Sequence, residues 1–137
     1  MKSIFIAAKE AGLKTDWFEV LSSEIQKRFG NTKPISIAFV DKKEMTRLNT
    51  VYRNKKSVTD VLSFNLDEEP STVLGEVILC PEVLKKQAKQ KDHSINKEFK
   101  ILLIHGTLHL FGLNHENKKD ARLMESLEKE ILKQVTQ

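Results

Sequence analysis

Short apolar runs alternate with longer stretches of mixed polarity along the chain. Residues 3–8 (SIFIAA), 35–40 (ISIAFV), 61–66 (VLSFNL) and 73–80 (VLGEVILC) are rich in Ile, Val and Phe, which is typical of β-strands buried on at least one face. Residues 67–71, between the last two runs, are mainly polar and include a proline. The pattern therefore predicts that these two strands are joined by a long loop.

Helix-start signals precede two of the mixed stretches. Asp16 is followed three residues later by a glutamate, as in a capping box, and apolar residues then recur at helical spacing as far as Gly30. Asp41 repeats this arrangement and predicts a second helix, which ends near Arg53. Strands and helices are therefore expected to alternate in the first half of the chain.

Three further helices are predicted in the second half. Pro81 stands where the first residue of a helix is expected, and Ser94 caps a helix that runs from Ile95 to about Phe111. The second of these helices is apolar nearly all round, so it is expected to be central and covered on most sides. A final amphipathic helix over residues 118–135 is expected to serve packing alone. Its predicted buried positions are Ala121, Leu123, Met124, Leu127, Ile131 and Leu132.

Composition narrows the class of protein. The 137 residues are 39% hydrophobic and 31% charged, which excludes fibrous, low-complexity and largely disordered classes. No repeat or linker divides the chain, so we expect one α+β domain over residues 1–137, with a small mixed sheet of about four strands and about five helices. Cys80 is the only cysteine, and no apolar run approaches the roughly 20 residues of a membrane helix. These features predict a cytoplasmic protein that does not span a membrane.

Two histidines lie inside the predicted central helix. His105 and His109 are four residues apart, so their imidazoles share one helix face within reach of a single ion. Gly112 can end this helix with a positive φ and turn the chain so that His115 meets the other two. The alternative is that these residues are satisfied core histidines, which is the commoner situation for one histidine on an apolar helix.

Three imidazoles are typical of a catalytic zinc site, because they leave a fourth position open. The spacing predicts one zinc ion per chain, held by His105, His109 and His115. Metzincin peptidases share this spacing, but they carry a glutamate directly after the first histidine as the general base. Gly106 occupies that position here, so a peptidase is the least favoured function.

Positive charge is concentrated before the third apolar run. Lys and Arg outnumber Asp and Glu by 23 to 19, and six of the basic residues fall between positions 42 and 56. Arg53, Lys55 and Lys56 can contact phosphate groups, and a cationic loop beside a metal attracts an anionic chain. The alternative is a solvated surface, which is the default for lysines.

Together these motifs resemble the YbeY family of bacterial single-strand-specific endoribonucleases, which mature ribosomal RNA. The resemblance is carried by Asn49, Tyr52, Arg53, TDVLSF at 59–64, LGEVILC at 74–80 and HGTLHLFGLNH at 105–115. The order of the predicted elements also fits the α+β fold of the family. The resemblance implies a zinc-dependent hydrolase that cleaves the phosphodiester bonds of single-stranded RNA, with a ribosomal subunit or ribosomal protein as its partner.

The resemblance also assigns roles to individual residues. The family's metal-binding histidines match the three identified above, and its functional arginine matches Arg53. The chain departs from the usual family pattern in that Asn114, Lys56 and Glu76 stand where aspartate is common. Val58 stands where the family often has proline.

Two more residues are candidate contributors to the site. Asn114 precedes the third histidine, and it can orient that histidine without binding the metal or stabilise the local turn. Glu76 is a candidate general base if its strand buries it, and otherwise it is an outward-facing strand residue. Arg53 is expected to stabilise charge on the phosphate, while zinc acts either through its bound water or as a Lewis acid on a phosphoryl oxygen.

A second function stays open from the sequence. The chain can be a ribosome-assembly factor that binds RNA and in which zinc stabilises the fold without catalysis. Its aromatic residues are few, with 7 Phe, 1 Trp and 1 Tyr, which favours contacts along the RNA backbone over readout of bases. Loss of cleavage without unfolding, on removal of the metal, is the result that favours the enzyme.

Overall fold

The structure is a computed structural model that describes residues 3–53, 61–68 and 70–136, with the Arg53 side chain outside this description. In chain order the elements are β1 (Phe5–Ala7), α1 (Phe18–Phe29), β2 (Ile35–Phe39), α2 (Lys42–Arg53), β3 (Val61–Asn65), β4 (Gly75–Leu79), α3 (Pro81–Gln90), α4 (Ile95–Leu110) and α5 (Lys118–Val135). The predicted α+β class, with four strands and five helices in these ranges, is confirmed. Among the described residues, no helix is long and apolar enough to cross a membrane.

The strands form one mixed sheet in the order β1-β2-β4-β3. β2 pairs in parallel with both β1 and β4, whereas β3 runs antiparallel to β4. Parallel neighbours require a crossover connection, which α1 supplies between β1 and β2. β3 and β4, which the sequence predicts to be joined by a long loop, are paired with Val61 opposite Leu79 and Asn65 opposite Gly75.

Helices cover both faces of the sheet. On one face α1, α4 and α5 enclose the main core, in which Phe99 and Leu103 of α4 are fully buried. On the other face Met45 of α2 packs with Leu62 and Ile78 of the sheet in a second, smaller core. The prediction that α4 is the central helix is therefore confirmed, because its buried residues lie on most of its sides.

The two predicted capping aspartates have different outcomes. The Asp41 carboxylate accepts the backbone N–H of Glu44 at 2.8 Å, so the predicted start of α2 is confirmed. The prediction that Asp16 caps α1 is wrong, because the N-cap is Trp17, which makes no side-chain capping bond. The Trp17 indole is 5% exposed and makes an edge contact with Phe99 at 5.1 Å. Burial of this large ring in the core fixes where α1 begins.

The buried stripe of α5 also differs from the prediction at one position. Met124, Ile131 and Val135 are buried, but Leu123, which was expected inside, is 56% exposed. Buried residues spaced seven and four positions apart follow one helix face. That face passes through position 128, where the sequence has a glutamate.

Candidate metal centre

Three histidine side chains converge at the C-terminal half of α4 and the turn that follows it. The ligand atoms of His105, His109 and His115 all lie within 4.8 Å of one another, and the Nε2 atoms of His105 and His109 are 3.0 Å apart. Two nitrogens at this separation can both lie about 2.0–2.1 Å from one zinc ion. His105 and His109 are half-buried and His115 is exposed, so an ion held by them is open to a ligand from solvent.

The end of α4 is what brings the third histidine back. The N–H of Gly112 donates to the carbonyl of His109 at 3.0 Å, and the N–H of Leu113 donates to the carbonyl of Leu108 at 3.1 Å. These two bonds form a Schellman motif, which needs a residue with positive φ, and Gly112 has φ +91°. The predicted role of Gly112 is confirmed, and His115 follows directly from this turn.

Gly106 lies where α4 packs closely against the sheet. A Cβ atom at this position would lie 2.9 Å from Ser63 Oγ and 3.0 Å from Val77 Cγ1. Position 106 therefore faces β3 and β4, whose side chains leave little room for another one. Residue 106 therefore has no carboxylate that could serve as the general base of a peptidase.

Asn114 belongs to the turn that carries His115. Its side-chain oxygen accepts the backbone N–H of Glu116 at 3.0 Å, which closes a small loop around the histidine. Of its two predicted roles, the structure shows the contact that stabilises the turn.

Glu76 lies on the opposite face of the sheet from the histidines. It pairs with Phe64 of β3, and both side chains line a groove on the α2 side together with Leu48 and Tyr52. The neighbouring Val77 is the residue that faces α4. Of the two roles left open for Glu76, that of a general base at the histidines is therefore contradicted, because strand alternation points its carboxylate away from the histidine cluster.

The basic residues predicted to bind RNA follow the end of α2. Arg53 is the last residue of that helix. Lys55, Lys56 and Val58 lie outside the described residues, so the departures from the family pattern at 56 and 58 have no structural outcome.

Sequence reasoning missed Glu128. This residue belongs to α5, which was expected to contribute packing alone, yet its Oε2 atom lies 3.4 Å from His105 Nδ1. Its other oxygen, Oε1, lies 3.9 Å from His115 Nε2. The available signal was a carboxylate in the buried stripe of an amphipathic helix, between Met124 and Ile131.

Comparison with known proteins decides the family. A family model described as Endoribonuclease YbeY matches residues 5–136. The chain belongs to the YbeY endoribonuclease family. The YbeY endoribonuclease of Staphylococcus saprophyticus is 36% identical, over 88% of this chain and 87% of that protein. The YbeY endoribonuclease of Finegoldia magna is 41% identical, over 74% of this chain and 68% of that protein.

A solved structure extends the likeness to the fold. The solution structure of a Thermotoga maritima protein matches with a TM-score of 0.63 and 29% identity, over 94% of this chain and 86% of that one. Membership of the YbeY family confirms the predicted resemblance and the predicted enzyme class, a nuclease hydrolase. The three converging imidazoles could hold a metal ion.

Proposed function

We propose that this YbeY-family chain is a zinc-dependent endoribonuclease that hydrolyses phosphodiester bonds of single-stranded RNA during ribosomal RNA maturation. The observation that carries the proposal is the convergence of three imidazoles within 4.8 Å in a chain of this family. The lack of a glutamate at position 106, where metzincin peptidases carry their general base, argues against the peptidase alternative.

The donor set fits zinc. His105, His109 and His115 supply three neutral nitrogen donors, and zinc sites with three protein ligands are typical of catalysis. When bound, zinc supplies Lewis-acid activation of the phosphodiester. The exposed His115 places the site at the protein surface, where a polymer can approach.

Arg53 is proposed to bind the phosphate that reacts, with Lys55 and Lys56 on neighbouring phosphates. A guanidinium group binds a phosphate through two parallel hydrogen bonds and stabilises the charge that develops during hydrolysis. Val61, the first described residue after this stretch, has its Cγ2 atom 3.2 Å from the Cβ position of Gly106. The chain therefore returns from the basic stretch to the helix that carries two of the histidines.

We propose that contact with a ribosomal partner selects the RNA substrate, and that recognition of its bases contributes less. Proteins that recognise the bases of single-stranded RNA usually stack them on exposed aromatic side chains and read their edges through hydrogen bonds. Among the described residues Tyr52 is an exposed aromatic, at 61%, whereas Trp17, Phe18 and Phe99 are buried in the core. Co-sedimentation with purified ribosomal subunits tests this part of the proposal, and equal recovery with and without subunits would contradict it.

The experiment that tests the activity compares a labelled single-stranded RNA with the same RNA in a duplex. We expect the wild type to cut the single strand, to lose this activity with a chelator and to regain it with zinc. The His109→Ala variant excludes a contaminating nuclease because it should cut neither substrate. His93→Gln is the matched control, since this fourth histidine binds Glu98 at 2.6 Å, outside the cluster. A folded, zinc-loaded wild type that leaves single-stranded RNA intact would favour the assembly factor.

A further inference from the structure

One carboxylate touches two members of the histidine cluster from a helix that carries none of them. The Glu128 oxygens of α5 lie 3.4 Å from His105 Nδ1 and 3.9 Å from His115 Nε2. The rings of His105 and His115 stack with centroids 5.0 Å apart and planes 15° apart. The Glu128 side chain is 22% exposed, so it lies partly under the protein surface beside these rings.

The two nitrogens of His105 face different neighbours. Its Nε2 atom points to Nε2 of His109 at 3.0 Å, whereas its Nδ1 atom points to Glu128. An imidazole that donates its Nδ1–H to a carboxylate keeps the free lone pair on Nε2. Contact with Glu128 therefore selects the tautomer in which the lone pair of His105 points towards the other histidines.

We propose that Glu128 is a positioning residue for the metal centre, which fixes the tautomer and ring orientation of His105 and braces His115. The inference rests on the proposed function, because it takes the three histidines as zinc ligands. Carboxylates that accept the outer N–H of a metal-binding histidine orient the ring and make it a better donor, and their loss typically weakens metal binding about 10- to 100-fold.

The packing of α5 holds Glu128 in place. Met124 and Ile131 are fully buried on either side of it along the same helix face. Arg28 of α1 also pairs with Glu130 of α5 at 3.5 Å. The carboxylate is therefore carried on a helix fixed by the core, which is what a positioning role requires.

Zinc affinity is the first measurement, made by competition with a chromogenic chelator on the full chain. Glu128→Ala should bind zinc about 10- to 100-fold more weakly. Glu128→Gln should lose less, because its amide oxygen still accepts from His105 Nδ1. Glu125→Gln is the matched control, since Glu125 is exposed, lies one turn earlier on α5 and should leave the affinity unchanged. Thermal unfolding of each variant verifies that the chain is folded.

The second measurement needs no metal. Nitrogen-15 NMR of the metal-free protein at mildly alkaline pH reports which imidazole nitrogen carries the proton. We expect His105 to be protonated at Nδ1 in the wild type and to become a mixture of tautomers in Glu128→Ala. Wild-type zinc affinity together with an unchanged tautomer in Glu128→Ala would overturn the proposal. If the wild type itself binds no zinc, the proposed zinc site is contradicted instead. The NMR result then still decides whether Glu128 sets the tautomer of His105.

Discussion

The hydroxyl of Ser63 on β3 donates a hydrogen bond of 2.9 Å to the carbonyl oxygen of Gly106 in the middle of α4. The same serine oxygen, with Val77 and Val61, fills the space in which a side chain at position 106 would lie, at 2.9 to 3.2 Å from its Cβ atom. Helix and sheet can approach this closely only because residue 106 has no side chain.

Gly106→Ala should therefore lower the free energy of unfolding by about 1 to 3 kcal/mol, because three neighbours on two strands must give way. Urea unfolding measures this loss. In the Ser63→Ala background, where the nearest atom is absent, the same substitution should cost less, and a double-mutant cycle isolates that difference. An unchanged unfolding midpoint in Gly106→Ala would show that the close approach is not needed.

Gly112→Ala should destabilise the protein by about 1 to 2 kcal/mol, because a residue with a side chain is strained at φ +91°. It should also weaken zinc binding, since this turn positions His115. Gly12→Ala is the matched control: Gly12 has φ +81° in the turn before α1, where its carbonyl accepts from Asn96, at the opposite end of α4 from the histidines. Similar losses of stability in both, with zinc affinity reduced in Gly112→Ala alone, are expected from calorimetry and chelator competition. Equal zinc affinity in Gly112→Ala and in the wild type would show that this turn does not position His115 for metal binding.

The Glu24 carboxyl is expected to make the free energy of unfolding depend on pH. Burial of its carboxyl raises the pKa, but hydrogen bonds from Arg28 and Lys27 lower it more, so the net pKa lies below the ordinary 4.5. Because the pKa of Glu24 is lower in the folded state, its ionised carboxylate stabilises the folded protein at pH values above its unfolded-state pKa. This stabilisation is lost as the pH falls through the folded-state pKa.

Glu24→Gln should therefore be less stable than the wild type by about 1 kcal/mol at pH 7. The difference should shrink as denaturation is repeated at increasingly acidic pH. Glu44→Gln is the control, because Glu44 is an exposed carboxylate paired with Arg47, and its loss should change stability little. A Glu24→Gln deficit that stays constant down to pH 3 would contradict the assigned role of the ion pair.

Arg53→Ala should keep its zinc and its stability while RNA cleavage falls about 100- to 1,000-fold, as for other groups that stabilise developing charge. Arg53→Lys should recover part of the rate, because it restores the charge without the paired hydrogen bonds. Arg47→Ala, on the same helix, removes a cation that pairs with Glu44 at 3.1 Å and should cleave like the wild type. Full activity in Arg53→Ala, measured by single-turnover cleavage, would contradict the proposed role of Arg53 at the reacting phosphate.

The parts of the site that the sequence predicts depend on short-range geometry. His105 and His109 share a face because they are four residues apart on a helix. Gly112 ends that helix in a turn closed by the N–H groups of Gly112 and Leu113. Such relations are fixed by helical spacing and by the φ preference of glycine, so they can be deduced without tertiary structure.

The parts that sequence analysis missed depend on contacts between distant segments. Glu76 has apolar neighbours on both sides in LGEVIL, so the side-chain pattern does not say which face it takes. Its pairing with Phe64 decides the face. Glu128 reaches His105 across 23 positions, a contact that exists only after α5 packs on α4. Trp17 is the N-cap of α1 in place of Asp16, because the burial of its ring in the aromatic core overrides the capping signal of Asp16.

The central claim is that the three histidines hold one ion and that this ion is needed for RNA cleavage. The most direct test titrates zinc into the metal-free protein and follows bound zinc and the cleavage rate of a labelled single-stranded RNA in the same sample. We predict that both rise together, that both saturate at one ion per chain, and that His109→Ala shows neither. Cleavage by the metal-free wild type at the rate of the loaded protein, or full activity in His109→Ala, would contradict the claim.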